Sequence, residues 1–203
     1  MNSTLKWLIA AGIIFVIFLS FYGMFKGFYN TSIELQQGAK TSWGNVESSY
    51  QRRNDLIGNL VQTVQGAANF EKSTLTAVIE ARAKATAVTI DPSKVTPAQL
   101  EAFQKSQTGV SSALSRLMVS VEKYPDLKAN ENFLRLQAEL EGTENRIKTA
   151  RDRYNASVEP YNVHILSFPN SFINSFIGHF TELPYFKSDP GAEKAPTVKF
   201  DFK

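Results

Sequence analysis

Hydrophobic and polar residues follow two different patterns along the chain. The first is an uninterrupted apolar run: nineteen consecutive residues from Trp7 to Phe25 carry no charge, and Lys6 and Lys26 bracket them. At 1.5 Å per residue the run is roughly 28 Å long as a helix, which matches the hydrocarbon core of a bilayer. We therefore predict that residues 1–27 form a transmembrane anchor. The predicted membrane-facing residues include Trp7, Ile13, Phe15, Phe18 and Phe25.

A cleaved signal peptide is the competing interpretation of this segment. Such a peptide needs small residues at its cleavage site. The candidate site at residues 20–25 reads SFYGMF, with bulky aromatic residues at the critical positions. The sequence thus indicates an uncleaved, single-pass anchor.

The orientation of the anchor depends on the lysines near its two ends. Lys6 and the terminal amine stand on one side, whereas Lys26 and Lys40 stand on the other, offset by Glu34. By the positive-inside rule, the difference of about one positive charge slightly favours a cytoplasmic C-terminal domain.

The second pattern is helical and covers most of the remaining chain, where apolar positions recur at three- and four-residue spacing. No proline interrupts residues 1–91, so the membrane helix is predicted to continue to about Gly66. Its stripe is Trp43, Val46, Tyr50, Arg53, Ile57, Leu60 and Val64. A second helix is predicted around Leu75 and Val78, followed by a loop at residues 90–93.

A third helix has the clearest start in the sequence. Thr96, Pro97 and Gln99 form a capping-box pattern with proline at the first helical position. We predict that Pro125 ends this helix. Its stripe is Leu100, Phe103, Gln107, Val110, Leu114, Leu117, Val121 and Tyr124.

A fourth helix is predicted to begin near Asn130 and to end near residue 166. Its stripe continues beyond Pro160, which predicts a kink rather than an end. Four amphipathic helices with short connections indicate an all-α protein with an antiparallel four-helix bundle at residues 28–167. Because the first and fourth helices are each close to forty residues, roughly 55–60 Å, the bundle should be elongated.

Residues 168–187 are predicted to form a short amphipathic, aromatic segment. Since the fourth helix descends toward the anchor, this segment should lie near the bilayer surface, where it packs on lipid or on another protein. The predicted surface residues are Phe168, Phe172, Ile173, Phe176, Ile177 and Phe180. Residues 188–203 read as an irregular tail, although Val198, Phe200 and Phe202 alternate with charged residues, as in an edge strand or a frayed terminus.

Composition excludes several classes of protein. The chain has no cysteine and two histidines, which excludes disulfides, cysteine-ligated metals and a three-histidine site. Without Lys6 and Lys26 the balance is 20 basic against 19 acidic residues, and no basic face indicates nucleic-acid binding. His164 and His179 belong to no metal or catalytic motif. We expect no cofactor, no metal and no small-molecule substrate.

One polar residue interrupts the first helical stripe. Arg53 stands where an apolar residue is expected, and an unpaired buried cation would be strongly unfavourable. The antiparallel register places residues 144–151 opposite, so we predict a structural pair with Glu144, with Asp55 and Asn145 nearby. Such a pair fixes helix register. The alternative is a carboxylate or phosphate site at residues 52–53.

These features together resemble the LemA family of bacterial membrane proteins along nearly the whole chain. The shared segments are Trp43 and residues 51–61 (QRRNDLIGNLV), 80–85 (EARAKA), 124–133 (YPDLKANENF), 141–147 (EGTENRI), 153–155 (RYN), 161–162 (YN), 168–169 (FP) and 189–196 (DPGAEKAP). Gly58, where the family pattern has proline, and Pro160 depart from the pattern, and both concern helix shape.

The resemblance implies a single N-terminal span in the inner membrane of a bacterial cell and an antiparallel helical domain without an established enzymatic activity. One branch of the family is associated with magnetosome membranes, which is suggestive of membrane organisation. We therefore expect a non-enzymatic, self-associating scaffold that organises the membrane or a membrane protein complex. The alternative is an adaptor or regulator of a membrane machine, such as a protease, secretion or envelope-stress complex.

Overall fold

The computed structural model describes residues 3–66, 70–177 and 180–187, apart from the side chain of Ile177. Within these ranges the chain forms α-helices and no strand. The helices are α1 (Ser3–Gln65), α2 (Lys72–Thr86), α3 (Pro97–Val121), α4 (Pro125–Lys128), α5 (Glu131–Leu166) and α6 (Asn170–Ile177). The all-α prediction is confirmed. The alternation predicted at residues 198–202, and His179, lie outside the described residues.

A single helix carries both the apolar run and the first side of the bundle. α1 has 63 residues and is unbroken from Ser3 to Gln65. This confirms that the membrane helix continues to about Gly66. The length corresponds to roughly 95 Å, since each helical residue adds 1.5 Å.

Local capping signals determine where the later helices begin. The Thr96 hydroxyl accepts from the Gln99 amide at 3.2 Å, and the Gln99 side chain accepts from the Thr96 amide at 2.9 Å, which completes the predicted capping box. The Asn130 side chain likewise accepts from the amide of Phe133 at 3.2 Å and begins α5. α5 then runs through Pro160 to Leu166.

The end of α3 differs from the prediction. α3 ends at Val121, and Pro125 begins the one-turn helix α4 instead of ending α3. The reason is that proline lacks an amide proton and has a fixed φ, which suits the first position of a helix as well as it prevents continuation.

The long helices pack in two antiparallel pairs, α1 with α5 and α2 with α3. The antiparallel direction of the first pair is set by contacts between Phe28 and His164 at one end and Arg53 and Glu144 further along. The core is divided in two along the rod. The half nearer the apolar run, here the near core, is rich in aromatic residues, among them Phe28, Trp43, Tyr50, Phe103, Tyr154 and Tyr161. The far core is mainly aliphatic, with Ile57, Leu60, Val64, Leu117, Leu136 and Leu140.

Candidate membrane interface and buried polar network

Most of the apolar run of α1 is exposed in the described part of the chain. α1 is long and apolar enough to cross a membrane, and none of its most apolar window is buried. Trp7, Ile13, Phe15 and Phe18 are each more than half exposed. Phe25 departs from the prediction, because it is half-buried against the near core, within one turn of the point where the bundle begins at Phe28.

The aromatic segment separates into an exposed part and a buried part. Phe168, Phe172 and Phe176 are 85%, 60% and 69% exposed, whereas Ile173 and Phe180 are buried in the near core. The prediction that all of them share one surface is therefore wrong for Ile173 and Phe180. The physical reason is that α6 is a two-turn helix with apolar residues on both sides. One side packs on the bundle, and the other carries Phe172 and Phe176, whose ring centroids lie 4.9 Å apart.

His164 fixes the position of α6 relative to α1. Its imidazole stacks on the Phe28 ring with centroids 5.4 Å apart, and its Nε2 lies 3.3 Å from the Phe28 carbonyl oxygen. The side-chain amide of Asn170, the first residue of α6, donates to the His164 carbonyl at 3.0 Å. Because Phe28 follows Phe25 by three residues, roughly 4.5 Å of helix, α6 begins close to the end of the apolar run.

Farther along the rod, Arg53 forms a polar network that joins three helices. The side chain is 2% exposed, and its Nη1 donates to Oε1 of Glu144 at 3.0 Å and to the Ser111 hydroxyl at 3.2 Å. Nη2 donates to the side-chain oxygen of Gln107, and the guanidinium lies 5.0 Å from the centre of the Tyr50 ring. Nε has no partner. The structure thus brings Arg53 and Glu144 together, and adds α3 to the pair.

The sequence analysis did not identify two of the Arg53 partners, Gln107 and Ser111. Gln107 interrupts the apolar stripe of α3 just as Arg53 interrupts that of α1, and two polar residues on facing stripes were a signal that they meet. Ser111, one turn later, had no such signal. Asp55, expected near the pair, instead accepts from the Gln51 side chain at 2.9 Å.

The alternative anion site at residues 52–53 is already occupied by acids of this chain. Arg52 pairs with Glu139 at 3.4 Å on the surface, and Arg53 pairs with Glu144. A free anion would have to displace a carboxylate in each case. The arrangement is therefore better suited to holding helices in register than to binding a ligand.

An extended segment at residues 180–187, here the strap, is held by two asparagines of α5. The side-chain amide of Asn162 donates to the Leu183 carbonyl at 2.8 Å, and its oxygen accepts from the Leu183 amide at 2.9 Å. Asn155 pairs in the same way with Phe186, at 3.0 and 2.8 Å. Each asparagine therefore satisfies both backbone groups of one buried strap residue, as a neighbouring strand would.

The anchors of the strap are apolar residues spaced by three: Phe180, Leu183 and Phe186, all buried. The Phe186 ring stacks on Trp43 with centroids 5.7 Å apart, and Arg151 covers it at 5.0 Å. The three positions recur every third residue in a segment that is neither helix nor strand. The strap is thus part of the near core.

Burial of tyrosines between α1 and α5 changes their acidity. Burial raises the pKa of Tyr154 to about 12, and its hydroxyl has no hydrogen-bond partner. Burial also raises the pKa of Tyr161, partly offset by a hydrogen bond with the Gln36 side chain. Its hydroxyl donates to the Thr181 carbonyl at 3.0 Å and so ties the strap to α5.

Within residues 3–66, 70–177 and 180–187, no group of three or more His, Asp or Glu is arranged to hold a metal ion. The titratable groups that do converge there, on Arg53, neutralise one another.

Comparison with known proteins gives relatives from two groups of bacteria. Magnetosome protein MamQ 2 of Paramagnetospirillum magneticum is 27% identical over 186 residues, which cover 81% of this chain and 66% of that protein. Magnetosome protein MamQ of Magnetospirillum gryphiswaldense is 26% identical over the same coverage. Protein LemA of Metamycoplasma hominis is 27% identical over 148 residues, 73% of this chain and 64% of that protein. The chain therefore spans slightly less than two thirds of the length of these relatives.

A family model extends the agreement to most of the bundle. The LemA family model matches residues 42–200, which include the Arg53 network, α6 and the strap. That range begins beyond the apolar run, so it is independent of the membrane-helix pattern. The chain belongs to the LemA family.

Proposed function

We propose that this protein is a non-enzymatic, single-pass, membrane-anchored scaffold that self-associates and organises the membrane or a membrane protein complex. The observation that carries the proposal is the continuity of α1. One unbroken 63-residue helix contains both the apolar run and the side of the bundle that binds α5. A rod attached in this way keeps a fixed angle to the span. A scaffold needs such a rigid attachment, whereas an enzyme on a flexible tether does not.

The surfaces of the chain support the same proposal. The apolar run is exposed over most of its length, with Phe25 half-buried at its end, so most of its surface is open to lipid or to other spans. The only buried ionic cluster among the described residues, around Arg53, is internally neutralised. Two of the relatives are named as magnetosome proteins, which supports a role at a membrane.

We further propose that the anchor lies in the inner membrane of a bacterial cell with the bundle on the cytoplasmic side. The uncharged run and its bracketing lysines support a single span. The cytoplasmic placement of the bundle rests on a difference of about one positive charge between the two ends of the span.

The experiment that tests the function is the mass and composition of the particle extracted from native membranes in a mild detergent. A large particle that contains only this chain is the expected result. A particle in which one foreign subunit recurs at fixed stoichiometry would replace self-association with the adaptor function. A monomer with no partner would contradict both.

A pair of matched variants tests whether the packing of the bundle affects the mass of the extracted particle. Glu144→Ala disturbs the Arg53 network, whereas Glu139→Ala removes only the exposed pair with Arg52. If the particle depends on the correct register of α1, α3 and α5, the first variant reduces its mass and the second leaves it unchanged. Equal masses for both variants would place the subunit contact in the span instead.

A further inference from the structure

Exposed phenylalanine occurs in two places within the described residues. The first is the apolar run of α1, with Phe15, Phe18 and Phe21. The second is the turn and short helix after α5, with Phe168, Phe172 and Phe176, here the foot surface. The other described phenylalanines are buried, or half-buried in the case of Phe25. Exposed phenylalanines in the apolar run are suited to contact with lipid, and the same contact would account for the exposed phenylalanines of the foot surface.

The foot surface lies at the level where the apolar run ends. α6 contacts α1 and α5, and His164 ties this end of α5 to Phe28. Phe168 follows the last residue of the descending helix α5, Leu166, by two residues and is 85% exposed. The exposed apolar residues Val163 and Leu166 on α5 extend the same end of the molecule.

Among residues 3–66, 70–177 and 180–187, nothing covers the foot surface. Ile173 and Phe180 supply the contacts by which α6 joins the near core, and Phe172 and Phe176 contact each other outside it. α6 contains no charged residue. Three exposed phenylalanines beside a bilayer surface would be stabilised by insertion of their rings at the headgroup boundary.

We propose that the foot surface is embedded in the lipid interface of the same leaflet from which α1 emerges. The occupant is lipid, because the foot surface continues the exposed apolar surface of the span at the same level. The bundle is then held at two points, the span and the foot surface. This inference rests on the proposed membrane anchoring and not on self-association.

The absence of cysteine from the chain allows a direct test by spin labelling. Full-length Phe176→Cys and Val119→Cys variants carry a nitroxide label in lipid vesicles. The positions are matched in exposure at 69% and 70%, but Val119 lies near the far end of α3. Accessibility is measured to molecular oxygen, which concentrates in lipid, and to a water-soluble nickel chelate. A Phe168→Cys variant provides a second reading that does not disturb Phe176.

The expected result is an oxygen-to-nickel accessibility ratio at least about threefold higher at positions 176 and 168 than at 119. The ratio should be the same in phosphatidylcholine and phosphatidylglycerol vesicles, since α6 carries no charge to attract anionic lipid. Equal ratios at all three positions would show that the foot surface faces water. Shielding from both reagents would show a protein contact. Either outcome overturns the inference.

The same vesicles separate this inference from the proposed scaffold function. The mass of the protein particle, measured after gentle extraction from them, reports self-association independently of the labels. Lipid-exposed labels on a monomer would support the foot and contradict self-association. Water-exposed labels on a large particle would do the reverse.

Discussion

Removing Glu144 should destabilise the protein more than removing both Glu144 and Arg53. Arg53 is 2% exposed and has one carboxylate partner, Glu144, at 3.0 Å. The Glu144→Ala variant leaves a buried cation with neutral partners only, from Gln107 and Ser111. The double variant Arg53→Met and Glu144→Ala replaces that cation with an apolar chain of comparable length, and no buried charge remains.

The magnitudes follow from the exposure of each partner. Breaking a fully buried pair costs about 3–5 kcal/mol. Because the Glu144 side chain is 46% exposed and Arg53 keeps neutral acceptors, we expect about 2–3 kcal/mol for Glu144→Ala. Arg53→Met leaves the Gln107 side chain without its donor, which costs about 1 kcal/mol. The double variant should also lose about 1 kcal/mol, which gives a coupling of about 2–3 kcal/mol.

The assay is reversible denaturant unfolding of the detergent-solubilised chain, followed by helical circular dichroism. Glu139→Ala is the control, since its partner Arg52 is 53% exposed, and its loss should cost about 0–1 kcal/mol. A double variant that is less stable than Glu144→Ala alone would refute the reasoning. It would mean that the Arg53 side chain stabilises the bundle by contacts unrelated to its charge.

Three further predictions use the same assay. Tyr154→Phe should be neutral or stabilising by up to about 1 kcal/mol because it removes an unpaired buried hydroxyl, whereas Tyr161→Phe should cost about 1 kcal/mol. Since the pKa of Tyr154 rises from 10.0 unfolded to about 12 folded, the native state retains a proton that the unfolded chain releases. Stability should therefore fall as pH rises from 10 to 12, by about 3 kcal/mol, and Tyr154→Phe should lack that component. Asn162→Ala should reduce the free energy of unfolding by about 2–4 kcal/mol, because the backbone N–H and C=O of Leu183 lose both partners. It should also speed amide hydrogen exchange at Leu183, and unchanged exchange would contradict this account of the strap. Gly44→Ala should stabilise by about 0.5–1 kcal/mol, since nothing lies within 4 Å of an added Cβ; a loss of stability would show that the glycine is needed.

Sequence reasoning was most accurate where the signal is local. The capping box at Thr96, the start of α5 near Asn130 and the continuity of α1 depend on neighbouring residues, and each prediction is confirmed. Pro125 shows the limit of local reasoning. Its chemistry permits both the end of one helix and the start of the next, and only the packing of Leu127 in the far core decides between them.

Non-local contacts could be predicted only where a polar residue interrupted an apolar pattern. Arg53 and Glu144 meet as the antiparallel register requires, because a buried cation leaves few alternatives. Ile173 and Phe180 could not be assigned to the core in the same way. The apolar pattern of α6 covers more than one face, so it does not indicate which face the bundle occupies. The strap was also beyond prediction, since Asn155 and Asn162 resemble ordinary surface residues until an extended partner lies beside them.

With α1 spanning the bilayer as proposed, its continuity means that the bundle and the span tilt together. From Phe28 to Gln65 the helix projects roughly 57 Å beyond the span at 1.5 Å per residue. A span adjusts its tilt when the thickness of the bilayer changes, and a change of about 10° would carry the far end of the rod sideways by roughly 10 Å. A small change in bilayer thickness would thus move the far end of the rod, at α4, by a distance large enough for another molecule to detect.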